Sequence, residues 1–313
     1  MARSPAALAE KHSRLPGLLG ILAGLALLVP AVFADDPPDR PFAPKPDARG
    51  FVPLGPEGTV RFHPQEKVVE ADGTFNMNYG FIEFLACAPG VKPHETIVAL
   101  DVNPIHFNAA LMMMGLDEKK ARKPESDADL LPVAGDRVVI FLRWKTKDEN
   151  GKEVVHEERA EKCILNALVE EEMERVGWVF TGSRFIEENP RLDDPPGGGD
   201  SDAGKKQEPE EEPKMIFAPL VIGQFIAVCH RPYAILDLPI AIPFVDAYYY
   251  ANPEVLPPID HDNPVEVTMV FRRPKPGEID RSIVRMKIPP PPPPDEGDDA
   301  NGDDQSSGDD SDD

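Results

Sequence analysis

Glu83, Cys87, Lys92, His94 and Glu95 lie within thirteen consecutive positions and are side chains of the types that do chemistry. Two carboxylates, an imidazole and an amine can hold a polar ligand. Imidazole and carboxylate together can also collect a divalent cation. The ligand-binding candidates are therefore Glu83, Lys92, His94 and Glu95. The metal candidates are His94, Glu95 and His106, the last at the first turn of a following helix. A plainer reading pairs Glu83 with Lys92 or an arginine and leaves His94 capping a turn. His94-Glu95-Thr96-Ile97-Val98 is not a zinc-protease signature, because that motif needs a second histidine four residues on along a helix.

Other residues invite chemistry less strongly. Ser183 lies in Thr-Gly-Ser-Arg-Phe, without the Gly-x-Ser-x-Gly spacing of a nucleophile elbow. A turn or bulge at Gly182-Ser183, with Arg184 pairing an acid, accounts for it. Cys87, Cys163 and Cys229 all sit among apolar neighbours and form no Cys-x-x-Cys pair. They read as buried small hydrophobes, with a single disulfide as the alternative. Cys229-His230 in a strand would point to opposite faces. Asp237, Asp246 and the run Tyr248-Tyr249-Tyr250 could line a groove for a sugar or peptide. No residue is assigned as catalytic. The chain has no phosphate-cradling glycine loop, dinucleotide fingerprint or other motif that demands a cofactor, although a divalent metal remains compatible.

These residues must be positioned by strands and one helix. Phe81–Ala88 and Thr96–Val102 are short apolar or β-branched runs around a Pro-Gly-Val-Lys-Pro turn, and are expected to form a hairpin. That hairpin would crowd the candidate side chains at one end. Asn103-Pro104 followed by an apolar run to Gly115 carries the cap, first-turn proline and terminal glycine of a helix. Its apolar surface extends nearly all round, so it belongs in a core, with Met112-Met113-Met114 as core filler. Arg137–Lys145 alternates and is followed by Asn150-Gly151 and a returning strand at Glu153–Glu158. Glu161–Arg175 reads as helical. Thr59–His63, Trp178–Ile186 and Ile222–Cys229 are strand candidates, and Val265–Arg272 with Ser282–Ile288 reads as a closing strand pair. The expected fold class is α+β: one compact domain with a largely antiparallel or mixed β-sheet and few helices.

Around this domain the composition changes. Residues 1–34 carry Arg3, Lys11 and Arg14, then an uncharged run from Leu15 to Ala34, the order of a secretory signal peptide cut after Ala34. An uncleaved anchor is the alternative, since a run of about 20 residues can span a bilayer. Residues 35–57 are a Pro/Asp-rich linker, 58–288 hold the domain, and 187–214 interrupt it with ten acids against four bases. Residues 289–313 are six prolines and a tail of ten acids with no base. These acidic segments are expected to be disordered. The whole chain of 313 residues has a net charge of −23. Such an acid excess excludes a sequence-blind nucleic-acid binder. The expected location is exported, periplasmic or secreted, with no membrane span after signal cleavage. The expected partner is a small molecule, a glycan or a protein.

The segment Gly80–Leu116 resembles the opening of the YdjY-like domain, a family of exported bacterial proteins. The shared features are a strand containing Glu83, a Pro/Gly turn, the Lys92-Pro93-His94-Glu95 step and a proline-led helix ending in Gly115. The Arg-Val-x-Ile-x-x-x-Trp hairpin at Arg137, Gly177–Phe185, the stretch from Ile226, and Val255–Pro258 with Val265–Phe271 continue the likeness in order. Two features depart from the family pattern. The Glu187–Lys214 insertion splits a short link, and Leu236-Asp237-Leu238-Pro239 replaces an Asp-Asn-Pro step. The resemblance implies a fold but no mechanism. The reading that follows is a non-enzymatic binding or envelope-accessory protein. Its alternative is a metal-binding protein or metal-dependent hydrolase built on Glu83, His94, Glu95 and His106.

Overall fold

The structure, a computed structural model, describes residues 44–188, 213–242 and 249–287. The signal peptide, residues 35–43 of the 35–57 linker, residues 189–212 of the insertion and the polyproline and acidic tail lie outside the described residues. Chain order begins β1 (Val52–Leu54), β2 (Val60–His63), β3 (Val68–Phe75), β4 (Phe84–Cys87) and β5 (Thr96–Leu100), then α1 (Pro104–Met113). It continues β6 (Arg137–Lys147), β7 (Glu153–Arg159), β8 (Ile164–Asn166), β9 (Glu171–Glu172), β10 (Trp178–Phe180) and β11 (Phe185–Glu187). After the insertion come β12 (Met215–Phe217), α2 (Pro219–Ile222), β13 (Gln224–Ala227), β14 (Leu236–Asp237), β15 (Tyr249–Ala251) and β16 (Glu266–Arg272).

Eight of these strands close on themselves in the order β3-β16-β6-β10-β14-β13-β4-β5, with β5 returning to β3. Strands β1 and β2 extend the sheet from β3, and β7 extends it from β6. The fold is thus β-rich with few helices, and its α+β character is confined to short helical pieces. Closure needs β3 to change partners along its length. Val68–Ala71 pairs with β2, and Gly73–Phe75 pairs with β5. Gly73 sits at that exchange because a Cβ there would lie 2.4 Å from the Ala99 carbonyl oxygen. Only glycine lets the two backbones approach so closely.

The interior follows strand alternation. Val138, Ile140, Leu142 and Trp144 of β6 and Val267, Met269 and Phe271 of β16 all join the main core. Helix α1 starts as its sequence dictates: the Asn103 side chain accepts from the backbone N–H of Ile105 and His106, and Pro104 opens the first turn. It buries one face, and its Phe107 ring meets both Phe271 and Phe225 at 5.1 and 6.4 Å. Those rings come from β16 and β13, diametrically opposite in the eight-strand ring, so α1 plugs the barrel. The other face is solvated. Met114 is buried, whereas Ile105, Met112 and Met113 are about half exposed, so the methionine triplet is core filler at only one position.

Several local expectations are corrected. Strands β4 and β5 pair in parallel, not as a hairpin. The expected helix over Glu161–Arg175 is a 3-10 turn at Ala160–Cys163 followed by β8 and β9. The Asn166 side chain accepts from Leu168 N–H in a local turn, and Glu170 takes a left-handed φ of 54°, so the single turn between them does not continue as a helix. Strand β16 pairs with β3 and β6 rather than with Ser282–Ile288, of which the described part forms no strand. Within the 35–57 stretch, Val52–Leu54 forms the edge strand β1. The insertion leaves and re-enters the fold through one antiparallel pair, β11 with β12, and Glu188 N–H donates to the Lys214 carbonyl at 2.7 Å.

Candidate functional site

Parallel pairing decides which candidate residues meet. The crowding expected of a hairpin does not follow from hairpin pairing, which would set Glu83 at the far end from Glu95. In the parallel pair Phe84 lies opposite Thr96, so the link 88–95 runs back along the strand. The N–H groups of both Glu83 and Phe84 then donate to the Glu95 carbonyl at 3.0 Å. A similar return occurs next door. Strands β13 and β14 are also parallel, and β13 runs antiparallel to β4 with Ala227 opposite Phe84. The residues after β13 therefore emerge beside the residues before β4 and β5. One end of the barrel collects Glu83, Lys92, Glu95 and Arg231.

Glu83 lies under this end, nearly buried, and accepts from Lys92 Nζ at 2.8 Å and from an Arg231 guanidinium N–H. Lys92 also donates to Glu95 at 2.8 Å, and the second Arg231 nitrogen donates to Asp127 at 3.0 Å. Both cations lie near the Phe84 ring, at 5.9 and 5.3 Å from its centroid. Burial opposes charge on Lys92, but Glu83 and Glu95 outweigh it and hold the ammonium above its ordinary value. Burial likewise opposes ionisation of Glu95, and the Lys92 hydrogen bond overrides it, leaving the carboxyl below its usual range.

Beneath Arg231 the polar chain continues. His230 and Asp237 are wholly buried, with His230 Nδ1 3.7 Å from an Asp237 oxygen and His230 Nε2 3.0 Å from the Leu131 carbonyl. Asp237 accepts from the backbone N–H of Arg231 and Leu238 at 3.0 and 2.7 Å. Burial still pushes its carboxyl above the usual range, against those donors and His230. The departure at Leu236-Asp237-Leu238-Pro239 therefore keeps a polar role.

The other candidates scatter. His94 is exposed on the link beside the cluster. His106 lies on α1, with Nδ1 3.7 Å from Glu57. Among the described residues no three His, Cys, Asp or Glu side chains are grouped to hold a metal ion, so His94, Glu95 and His106 do not converge as one. All three cysteines are free and buried. Burial raises Cys87 and Cys229 to about 12 and Cys163 higher, which keeps them as thiols at neutral pH. Ser183 has a left-handed φ of 56° next to Gly182 at 66°, and its hydroxyl donates to the Tyr233 carbonyl. Arg184 donates to the Pro124 carbonyl rather than to an acid. Tyr249 is buried and donates to Glu174, while Tyr250 packs against Phe81 at 4.1 Å. Asp246 and Tyr248 lie outside the described residues.

A second polar region, unforeseen in the sequence, covers the outer face of β2, β3, β16 and β6. Glu70 is almost fully buried there under three arginines. Arg49 reaches it with two bonds of 3.0 and 2.9 Å, Arg143 at 2.9 Å and Arg61 at 3.4 Å. Asp72, two residues along β3, takes Arg61 and the Thr268 hydroxyl. An open groove of about 1450 Å³ runs over this face, lined by Arg61, Asp72, Arg143, Thr268 and their neighbours.

Sequence reasoning missed Arg231, Asp127 and the Glu70 group, and it expected Asp237 to line a groove, whereas Asp237 is wholly buried beside His230. A signal was present for Arg231: His-Arg embedded in the apolar run Ile226–Leu238 must find a carboxylate if that run is buried. Asp127 sits in an irregular loop with no periodicity to place it. The YdjY domain family model matches residues 60–269, which takes in the loop-built cluster, Glu70 with Arg61 and Arg143, and all of the barrel but the last three residues of β16. No curated protein and no solved structure matches the chain significantly.

Proposed function

The chain belongs to the YdjY domain family, and from that premise we propose that it is an exported binding or envelope-accessory protein without catalytic activity of its own. Its ligand-binding region is the charged rim formed by Glu83, Lys92, Glu95 and Arg231. The observation that carries this reading is the union of these side chains, from three separate segments, into one network at one barrel end. Lys92, Glu95 and Asp127 keep a third to a half of their side-chain surface in solvent, while Glu83 and Arg231 form a buried floor. Such a floor fixes the orientation of the rim groups, as a recognition surface requires. The mutual pairing of acids and bases suits recognition by exchange of ion pairs better than it suits proton transfer.

Export rests on the charge, apolar run and small-residue order of residues 1–34. N-terminal sequencing of protein recovered from the extracytoplasmic fraction should begin at Asp35. Full-length chain found only in the cytoplasm would contradict the location. Elemental analysis of that purified protein separates the two functional readings. The binding reading expects no stoichiometric zinc, iron or copper. A stoichiometric metal that disappears in His94→Ala would replace it with the metal-dependent one.

A further inference from the structure

Arg231 draws its two carboxylates from very different places. Glu83 immediately precedes a barrel strand and is held by backbone hydrogen bonds on both sides. Asp127 stands near the tip of the loop 122–134, and half of its side chain is in solvent. That loop is a closed unit. Arg122 and Ala134 pair at its base, and Arg122 also donates to the Leu131 carbonyl and to Asp129. Asp129 in turn accepts from the N–H groups of Glu125 and Leu131. The tip therefore keeps its shape without help from the barrel, like a compact surface loop packed on its own groups.

The stem of the loop is fixed, with Arg184 donating to the Pro124 carbonyl, Lys123 donating to the Ser183 carbonyl and Val133 buried. The tip has few attachments over the buried floor: the Asp127–Arg231 ion pair and the Leu131 carbonyl on His230 Nε2. Leu130 and Leu131 beside them point outward, more than half exposed, so little apolar burial holds the tip down. A guanidinium as enclosed as that of Arg231 requires carboxylate partners, because removing one leaves charge uncompensated. Exchange of the Asp127 carboxylate for another would preserve that balance and would cost only the lifting of the tip.

We propose that Asp127 is an internal occupant of a carboxylate-binding site on Arg231, and that the ligand class of the rim is an acidic peptide whose carboxylate takes the place of Asp127. The loop 122–134 is then an autoinhibitory strap. Lys92, bonded to the same Glu83 oxygen as Arg231, provides the adjacent positive charge. The proposal rests on the binding role given above and names its ligand class.

The test uses the full exported chain and the loop's own sequence as probe, the capped peptide acetyl-Glu-Ser-Asp-Ala-Asp-amide. Its control carries the corresponding amides, Gln, Asn and Asn. In calorimetric titration, Asp127→Ala should bind the acidic peptide at least tenfold more tightly than the wild-type chain does, and should bind the control at least tenfold more weakly. Asp127→Asn, which keeps the side-chain volume, should behave as Asp127→Ala does, so that a folding defect in one variant leaves the other to decide. Equal affinity of wild type and both variants, or equal affinity for the two peptides, would overturn the proposal. Neither result bears on export or metal content, so failure here is distinguishable from failure of the broader binding role.

Discussion

Two nearly buried glutamates, Glu70 and Glu83, each gather cations, but by different routes and at different risk. Glu70 sits on β3, and two of its three arginines are placed by strand register. Arg61 lies directly opposite it on β2, and Arg143 approaches across β16 from β6. Each of those arginines has a second acid, Asp72 or Glu157, and Arg49 is half exposed. Loss of Glu70 would leave no guanidinium stranded. Glu83 holds Lys92 and Arg231 from loops that two parallel strand pairs return to the same end. Arg231 is almost fully enclosed. A ladder on a sheet face backs its arginines with acids set on neighbouring strands, whereas the loop-built cluster backs Lys92 and Arg231 with Glu95 and Asp127, which are partly in solvent.

The largest expected effect separates the two. Glu83→Ala should destabilise the chain by about 3–5 kcal/mol, because the enclosed Arg231 is then left to Asp127, a carboxylate half in solvent on a loop. Glu70→Ala should cost only about 1–2 kcal/mol, the loss of charge-assisted hydrogen bonds whose donors keep other acceptors. Urea midpoints at constant slope measure both. Equal losses would remove the distinction.

The contrast also explains what could be read in advance. Helix α1 and the β6–β7 hairpin were legible, because Asn103-Pro104 with Gly115 and the Asn150-Gly151 turn are local signals. Strand β3 was not, because Asp72-Gly73 imitates a turn. Here the aspartate is paired with Arg61 and accepts from the Thr268 hydroxyl, and the glycine admits β5. The convergence of Glu83, Lys92 and Glu95 is expected in the sequence from a hairpin, but it is the parallel pairing of β4 and β5 that produces it. Short links such as 88–95 usually join antiparallel strands, whereas parallel crossovers commonly take a dozen residues or more. Tertiary pairing also overrode the helical period of Glu161–Arg175. Arg231 and Asp127 meet across more than a hundred residues, a separation no spacing rule spans.

A smaller effect concerns salt. The Glu70 ladder is open to solvent at Arg49 and Arg143, so its contribution should shrink between 0.1 and about 1 M salt, where the Debye length falls to about 3 Å. The stability difference between wild type and Glu70→Ala should narrow over that range. The difference for Glu83→Ala should change little, and the reverse pattern would invert the comparison.

The smallest effect divides the loop-built end by pH. Glu95 has its folded value lowered, so it contributes stability above its ordinary value of 4.5, lost as pH falls through the lower folded value. Asp237 has its folded value raised, so its contribution is present below 3.8 and is lost as pH rises through the higher one. Asp237→Asn should therefore abolish a decline in stability on the rising side, and Glu95→Gln should flatten the loss on the acid side. Denaturation curves from pH 3 to 8 would reveal both, and parallel curves for either variant and wild type would contradict the assignment.

The most direct measurement is a double-mutant cycle on Glu83 and Arg231, read as unfolding free energy. A mutually dependent buried pair predicts a coupling of at least 2 kcal/mol, with Glu83→Ala/Arg231→Ala no less stable than the worse single variant. Strictly additive losses would mean that the two side chains do not share one enclosed site, and the loop-built cluster would not exist as described.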